Sequence, residues 1–267
     1  MNPSVRRDVS PVSHASPDSL IAFEYLLRLG DDRLVLGHRL SEWCGHGPIL
    51  EEDIALANIA LDLIGQASLY LKLVGKCEGK GRDDDALAYF RETTDYRNLH
   101  IVELPKGDYA FTIVRQLFFD VFNYHLLEQL QKSSNADLAG IAAKGFKEVR
   151  YHIRHSSEWV VRLGDGTEES HTRAQKAVND LWRFTDEMFV ADDVDREMAA
   201  AGIGTDPAAL KPKWEAVVKD VLNRATLTVP NDPYAMTGGR KGRHTEYLGH
   251  LLSEMQIVAR SHPGAEW

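Results

Sequence analysis

The sequence predicts an all-α fold: an antiparallel four-helix bundle with additional C-terminal helices packed against it. Apolar residues recur at helical spacing almost throughout from residue 18 onward. Four of these stretches run to about 24–30 residues each and are joined by turns and one short insertion, which is the pattern of such a bundle. No convincing period-two alternation appears, although Leu-Thr-Val-Pro at 227–230 has room for a short extended piece.

The elements follow in order. Residues 1–17 are rich in Ser and Pro and poor in apolar side chains, so a disordered leader is expected there, and 18–267 are expected to form one helical domain. The first helix starts near Asp18, with Ser16 or Asp18 as its cap and Pro17 in its first turn. It runs through FEYLLRLGDDRLVLGHRLSEW toward Gly45, with Gly30 as the place to bend, and GHGP at 45–48 stops it. LEEDIALANIALDLIGQASLYLKLVG gives the second helix over 50–75, and RDDDALAYFRET a short one with an acidic start. ELPKGD is a loop, and DYAFTIVRQLFFDVFNYHLLEQLQ is the third long helix. Asn135 caps the fourth, ADLAGIAAKGFKEVRYHIRHSSEWVVRL, which ends at GDG. Thr167 caps EESHTRAQKAVNDLWRFTDEMF. Shorter helices follow in DVDREMAAAG, PAALKPKWEAVVKDVLNRA and HTEYLGHLLSEMQIVARS.

Composition narrows the function classes. A chain with 43% hydrophobic and 27% charged residues can bury a sizeable core. A formal charge of -9 argues against general nucleic-acid binding, which needs clustered cations to neutralise phosphates. The two cysteines, Cys44 and Cys77, form no CxxC pair, which suits a reducing cytoplasm and argues against a disulfide scaffold or zinc ribbon. The N-terminal segment lacks the apolar core of a secretory signal. No run approaches the roughly 18 uninterrupted apolar residues of a membrane span. The expectation is a soluble cytoplasmic protein without nucleic-acid or membrane partners.

The segment KEVRYHIRH at 147–155 puts a glutamate and two histidines within two helical turns, an arrangement that invites a metal reading. Successive helical residues turn by about 100°, which places Ala142, Phe146, Val149, Ile153, Ser156 and Val160 on one inward stripe. His152 flanks that stripe and Glu148 leans away from it. Di-iron and di-manganese bundles take one Glu from each of two helices and a Glu-x-x-His pair from each of the other two. Here Val149 stands where the glutamate before His152 is needed. Among all histidines only His171 has a glutamate three residues earlier, in EESH at 168–171, and that pair reads as an acidic helix start.

The second helix has lost the same motif. Leu63-Ile64-Gly65-Gln66 holds neither ligand, so Leu63, Gln66, Val149 and His152 mark degenerate ligand positions. A polar line of Asn58, Asp62 and Gln66 runs along this largely apolar helix at i,i+4 spacing. His38 and Glu42 form an i,i+4 pair on the first helix, and Asp120 is an inward carboxylate on the third. The expectation is that His38, Glu42, Asn58, Asp62, Asp120 and His152 form a buried polar network where a metal-binding bundle holds its ligands. No catalytic or metal residue is assigned. GDG at 164–166 and GG at 238–239 fit no phosphate loop, and Arg240, Lys241 and Arg243 make a local basic cluster that has the charge to meet a phosphate or an acidic partner but is best read as a solvated loop.

The stretches GDDRLVLGHRLSEWCGHGPILEEDIALANIALDLIGQA, GDYAFTIVRQLFFD, KEVRYHIRHSSEWVVRLGDGTEESH and GRKGRHTEYLGHLLSEMQ closely resemble the C-subunit family of ring-1,2-phenylacetyl-CoA epoxidase, a bacterial multicomponent monooxygenase of aerobic phenylacetate breakdown. The resemblance covers nearly everything after the leader. It implies a ferritin-like bundle with no cofactor of its own, paired with a homologous A subunit that carries the di-iron centre and the acyl-CoA site, alongside other components including a reductase. The C subunit is the structural, non-catalytic partner. The catalytic relative has a DE-x-GH helix, and DLIGQA at 62–67 matches its frame with Leu63 for the glutamate and Gln66 for the histidine. Two other readings stay open: a self-sufficient di-metal oxidase using His38, Glu42, Asp62 and His152, and a free-standing CoA-binding or scaffold protein.

Overall fold

Local chemistry sets most helix ends in the computed structural model, which describes residues 17–231 and 234–265. Residues 1–16 of the expected leader, with Ser16 as a cap, lie outside the described residues. Ten α-helices and no strand occur among those described: α1 Pro17–Ser41, α2 Leu50–Glu78, α3 Asp84–Tyr89, α4 His100–Glu103, α5 Tyr109–Leu130, α6 Ala136–Gly164, α7 Glu168–Trp182, α8 Asp193–Ala200, α9 Lys211–Arg224 and α10 Glu246–Ser261. Asp108, Asn135 and Thr167 cap α5, α6 and α7, each side-chain oxygen accepting from a backbone N–H in the first turn. α2 runs a turn beyond its expected end, until Gly79 takes the left-handed conformation at φ 68°.

Three boundaries differ from the sequence expectation. α1 stops at Ser41 rather than Gly45, and it stays one helix through Gly30. α7 ends at Trp182, and the expected continuation becomes a 3-10 turn, Asp186–Phe189, that carries Glu187 inside. Residues 227–230 are not a strand, because Gln175 takes both polar groups of the Thr228 backbone.

α1 pairs with α2, α5 pairs with α6, and α2 lies beside α6 to close the bundle. Close approach of the first pair rests on Gly37, where a Cβ would sit 2.8 Å from Ile64 Cγ1 and 3.2 Å from the Ala60 carbonyl oxygen. α7 and α9 cover α5 and α6, while α8 and α10 pack on α1. The architecture is the all-α, ferritin-like bundle expected, with additional C-terminal helices.

Every residue of α1 from Tyr25 to Gly37 is buried, although the stretch carries Arg28, Asp31, Asp32 and Arg33. A buried charge is tolerable only when paired and hydrogen-bonded. Arg28 meets Asp192 at 2.7 Å and Asp195 at 3.2 Å. Asp31 holds the Arg91 guanidinium and accepts from the Arg97 N–H at 2.8 Å. Asp32 accepts from Arg240 at 2.7 Å and from the Leu99 N–H at 2.8 Å. These pairs dock the 91–99 segment, α8 and the 238–245 loop onto one helix.

Two buried carboxylates pin that loop from its other side. Glu187 accepts from the N–H groups of His100, Gly238 and Gly239 at 2.8, 2.8 and 2.9 Å, and its oxygens lie 3.0 Å from His100 Nδ1. Glu103 accepts from the Thr245 N–H at 2.6 Å and lies 2.8 Å from His244 Nδ1.

Replacing Arg91 by Leu strands Asp31 as a buried anion. It should cost about 3–5 kcal/mol in urea unfolding, and Asp31→Asn added to it should recover part of the loss.

Candidate functional site

The four long helices converge on a polar centre that contains a cation supplied by the chain. α1 sends in Arg33, wholly buried. Its Nε donates to Gln66 Oε1 of α2 at 3.0 Å, its Nη2 to Asn123 Oδ1 of α5, and its Nη1 to the Leu29 carbonyl at 2.7 Å. The guanidinium carbon also lies 4.7 Å from the centre of the Tyr70 ring. All of its acceptors are neutral carbonyl oxygens. Gln66 turns its amide nitrogen outward to Glu148 of α6 at 2.8 Å. Gly145 makes room for this, since a Cβ there would lie 3.1 Å from the Gln66 amide carbon. Glu148 therefore leans to the rim, and the inward positions beside it are held by Leu63 and Val149, both wholly buried.

A second polar group lies across α2, α5 and α6. Asp120 accepts from Gln116 Nε2 at 2.6 Å and from Ser156 Oγ at 2.9 Å. Burial pushes its carboxyl up to about 6, against the pull of His152, Ser156 and Gln116. His152 is wholly buried, with Nε2 3.0 Å from Asp62 Oδ2, and Asp62 is more than a third exposed. Nearer the start of α2, Glu52 accepts from Tyr109 Oη at 2.6 Å and lies 2.7 Å from His155 Nε2. Burial, then the Glu52 carboxylate, raises the Tyr109 phenol far above its ordinary value.

The expected network is only partly assembled. Asp62, Asp120 and His152 do come together, and Gln66 belongs to the Arg33 group. His38 stands apart with its Nε2 unpartnered, and burial lowers its basicity. Glu42 is taken by Arg39 at 2.6 Å. Asn58 is corrected outright, because its side chain is exposed. Each i,i+4 step leaves about 40° of rotation, so the line Asn58, Asp62, Gln66 spirals from solvent through the rim to the core. His171 uses its Nδ1 to bond the Gly164 carbonyl at 2.7 Å, joining α7 to the end of α6.

Arg33, Asn123 and the Glu52–His155–Tyr109 group were missed by sequence reasoning. The available signal for Arg33 was the string GDDR inside a helix apolar on both sides of it, which forces some charges inward. The signal for Glu52 was weaker, because an acidic residue in a first helical turn is ordinary.

These residues do not fit a di-metal centre. At Glu-x-x-His spacing the inward positions are Leu63 and Gln66 on α2 and Val149 and His152 on α6, so neither pair offers a carboxylate and only one offers an imidazole. A fixed guanidinium stands beside the Gln66 amide. The atypical set of His38, Glu42, Asp62 and His152 is not brought together, and no group of three or more His, Cys, Asp or Glu suited to a metal ion occurs among the described residues.

Fold and centre define a ferritin-like bundle whose centre is lined by guanidinium, amide, carboxylate and imidazole side chains. The chain belongs to the family described as phenylacetic acid catabolic protein, whose model matches residues 13–267. Among proteins of known function it is similar to the C subunit of 1,2-phenylacetyl-CoA epoxidase from Escherichia coli (strain K12): 49% identical over 243 residues, covering 91% of this chain and 98% of that protein.

Two changes test the centre. Arg33→Met leaves the Gln66 and Asn123 oxygens without a donor, and unfolding free energy should fall by roughly 2–5 kcal/mol. Asp120 should make stability depend on pH. Between its ordinary 3.8 and about 6 the folded protein keeps a proton that the unfolded chain has released. Stability from this group is therefore fully present below about pH 4 and is lost as pH rises through about 6, a change of roughly 3 kcal/mol. Thermal melts of Asp120→Asn across that range should show the slope flattened.

Proposed function

We propose that this chain is the structural, non-catalytic subunit of a phenylacetyl-CoA epoxidase. It pairs with and stabilises a homologous di-iron catalytic subunit in aerobic phenylacetate catabolism, in the cytoplasm. The observation that carries the reading is the occupied ligand frame: Leu63 and Val149 at the two glutamate positions, Gln66 at one histidine position, and Arg33 beside it. On this reading the di-iron centre belongs to the partner, electrons come from a separate reductase component, and this chain contributes surface and stability.

The outer face of α2 supports a helical partner. Leu50, Ile54 and Leu61 are 71%, 52% and 67% exposed. They stand at i, i+4 and i+11, a spacing that keeps apolar side chains on one stripe facing another helix. α2 is also, by length and hydropathy, long and apolar enough to cross a membrane, but half of the qualifying window is buried within the bundle. A buried inner face and an exposed apolar outer stripe suit a helix between two bundles.

The test is co-purification of the tagged chain with its homologous di-iron subunit from cells grown on phenylacetate, with iron measured on the chain alone and on the complex. Iron should follow the partner, and Ile54→Lys/Leu61→Lys should weaken pairing by tenfold or more while the chain still folds. About two irons per chain with O₂ turnover by the chain alone would overturn the reading.

A further inference from the structure

The loop pinned by Glu187 and Glu103 borders a cleft of about 330 Å³ at the start of α8. Each of its three wall carboxylates already has a partner within the chain. Glu187 pairs with His100, Asp192 with Arg28, and Asp193 with Arg196. Arg240 is likewise committed, to Asp32. Lys241 and Arg243 also line the cleft, and both are exposed. Neither side chain has a hydrogen bond or ion pair among the described residues, while the nearby cations Arg28, Arg196 and Arg240 each do.

Two uncommitted cations over internally paired acids favour an anion at this spot, on a chain whose formal charge is -9. Their backbone is not free to drift. The N–H groups of Gly238 and Gly239 are held by Glu187, and the Arg243 carbonyl lies 2.8 Å from His100 Nε2. One wall is apolar: Val190 is 55% exposed and lines the same cleft. Cations beside an apolar wall suit a phosphate attached to a flat, weakly polar group better than a free inorganic anion.

We propose that this cleft binds the phosphate end of an adenosine nucleotide, with Lys241 and Arg243 on the phosphate and Val190 against the base. Phosphate binding rests on the cleft alone. Assigning the nucleotide to the CoA portion of an acyl thioester, rather than to a dinucleotide cofactor of a reductase, rests on the proposed function.

The experiment is a calorimetric titration of the purified chain with adenosine 3′,5′-bisphosphate, ADP and inorganic phosphate at low salt. The bisphosphate should bind saturably and about tenfold or more tighter than inorganic phosphate. Lys241→Glu/Arg243→Glu should weaken it by about tenfold or more, as expected when two charge-assisted contacts are reversed. The matched reversal Lys147→Glu/Arg150→Glu on α6 should leave it unchanged. A preference for the bisphosphate over ADP assigns the CoA source, and the reverse order assigns a dinucleotide. No saturation in the millimolar range, equal affinity for inorganic phosphate, or equal loss in both charge-reversed variants would overturn the proposal. Because the titration uses the chain alone, its failure is distinguishable from a failure to pair with the di-iron subunit.

Discussion

The constraint on which the structure depends is the burial of a charged helix. α1 is enclosed from Tyr25 to Gly37, yet four of those side chains are ionic. An unpaired charge in such a place costs several kcal/mol, more than an ordinary single contact returns. The chain outside the bundle therefore brings a partner to three of these four charges. Arg91 comes from beyond α3, Asp192 and Asp195 from α8, and Arg240 from the loop before α10. The additional helices are thus more than a coat, since they complete the core of the bundle. Arg39, one turn further along α1, continues the pattern by donating to the carbonyls of Glu103 and Tyr247.

Arg33 solves the same problem differently. Its acceptors are amide and backbone carbonyls and its face lies on Tyr70, so the charge is delocalised over several weak partners. The buried carboxylate Asp120 is turned to Gln116 and Ser156 instead, and burial pushes it up to about 6. Keeping these two groups apart lets the centre stay polar without a strong internal salt bridge. A metal pair would require the opposite arrangement, with several carboxylates ionised and facing one point.

Much of the fold was legible because helical periodicity and caps are local properties. Asn135, Thr167 and the GDG stop act within one turn of the residues they end. The inward direction of Val149 was legible for the same reason, since one helix and an angle of about 100° per residue fix it. What could not be read was any property set by two helices at once. Asn58 shares a spacing with Gln66 but not an environment, and Arg33 reaches the centre only because α2 and α5 offer oxygens there. Glu187 was written into a helix by periodicity, whereas three backbone N–H groups from elsewhere in the chain pull its turn inward.

The distribution of polarity then reads almost inside out. Arginines, aspartates and histidines occupy the bundle centre, while Leu50, Ile54 and Leu61 face outward from its most apolar helix. Leaving a leucine or isoleucine side chain in water forgoes about 1.5–3 kcal/mol relative to burying it. Three such residues on one stripe forgo roughly 5–9 kcal/mol, comparable with the whole net stability of a domain. The buried charges of α1 have no such alternative, because each has a partner within the chain. A second helical surface laid on α2 would recover the apolar loss without disturbing any of the internal pairs. The polar interior and the apolar exterior are therefore separable: the first holds the bundle together, and the second leaves on α2 a surface that the proposed pairing would cover.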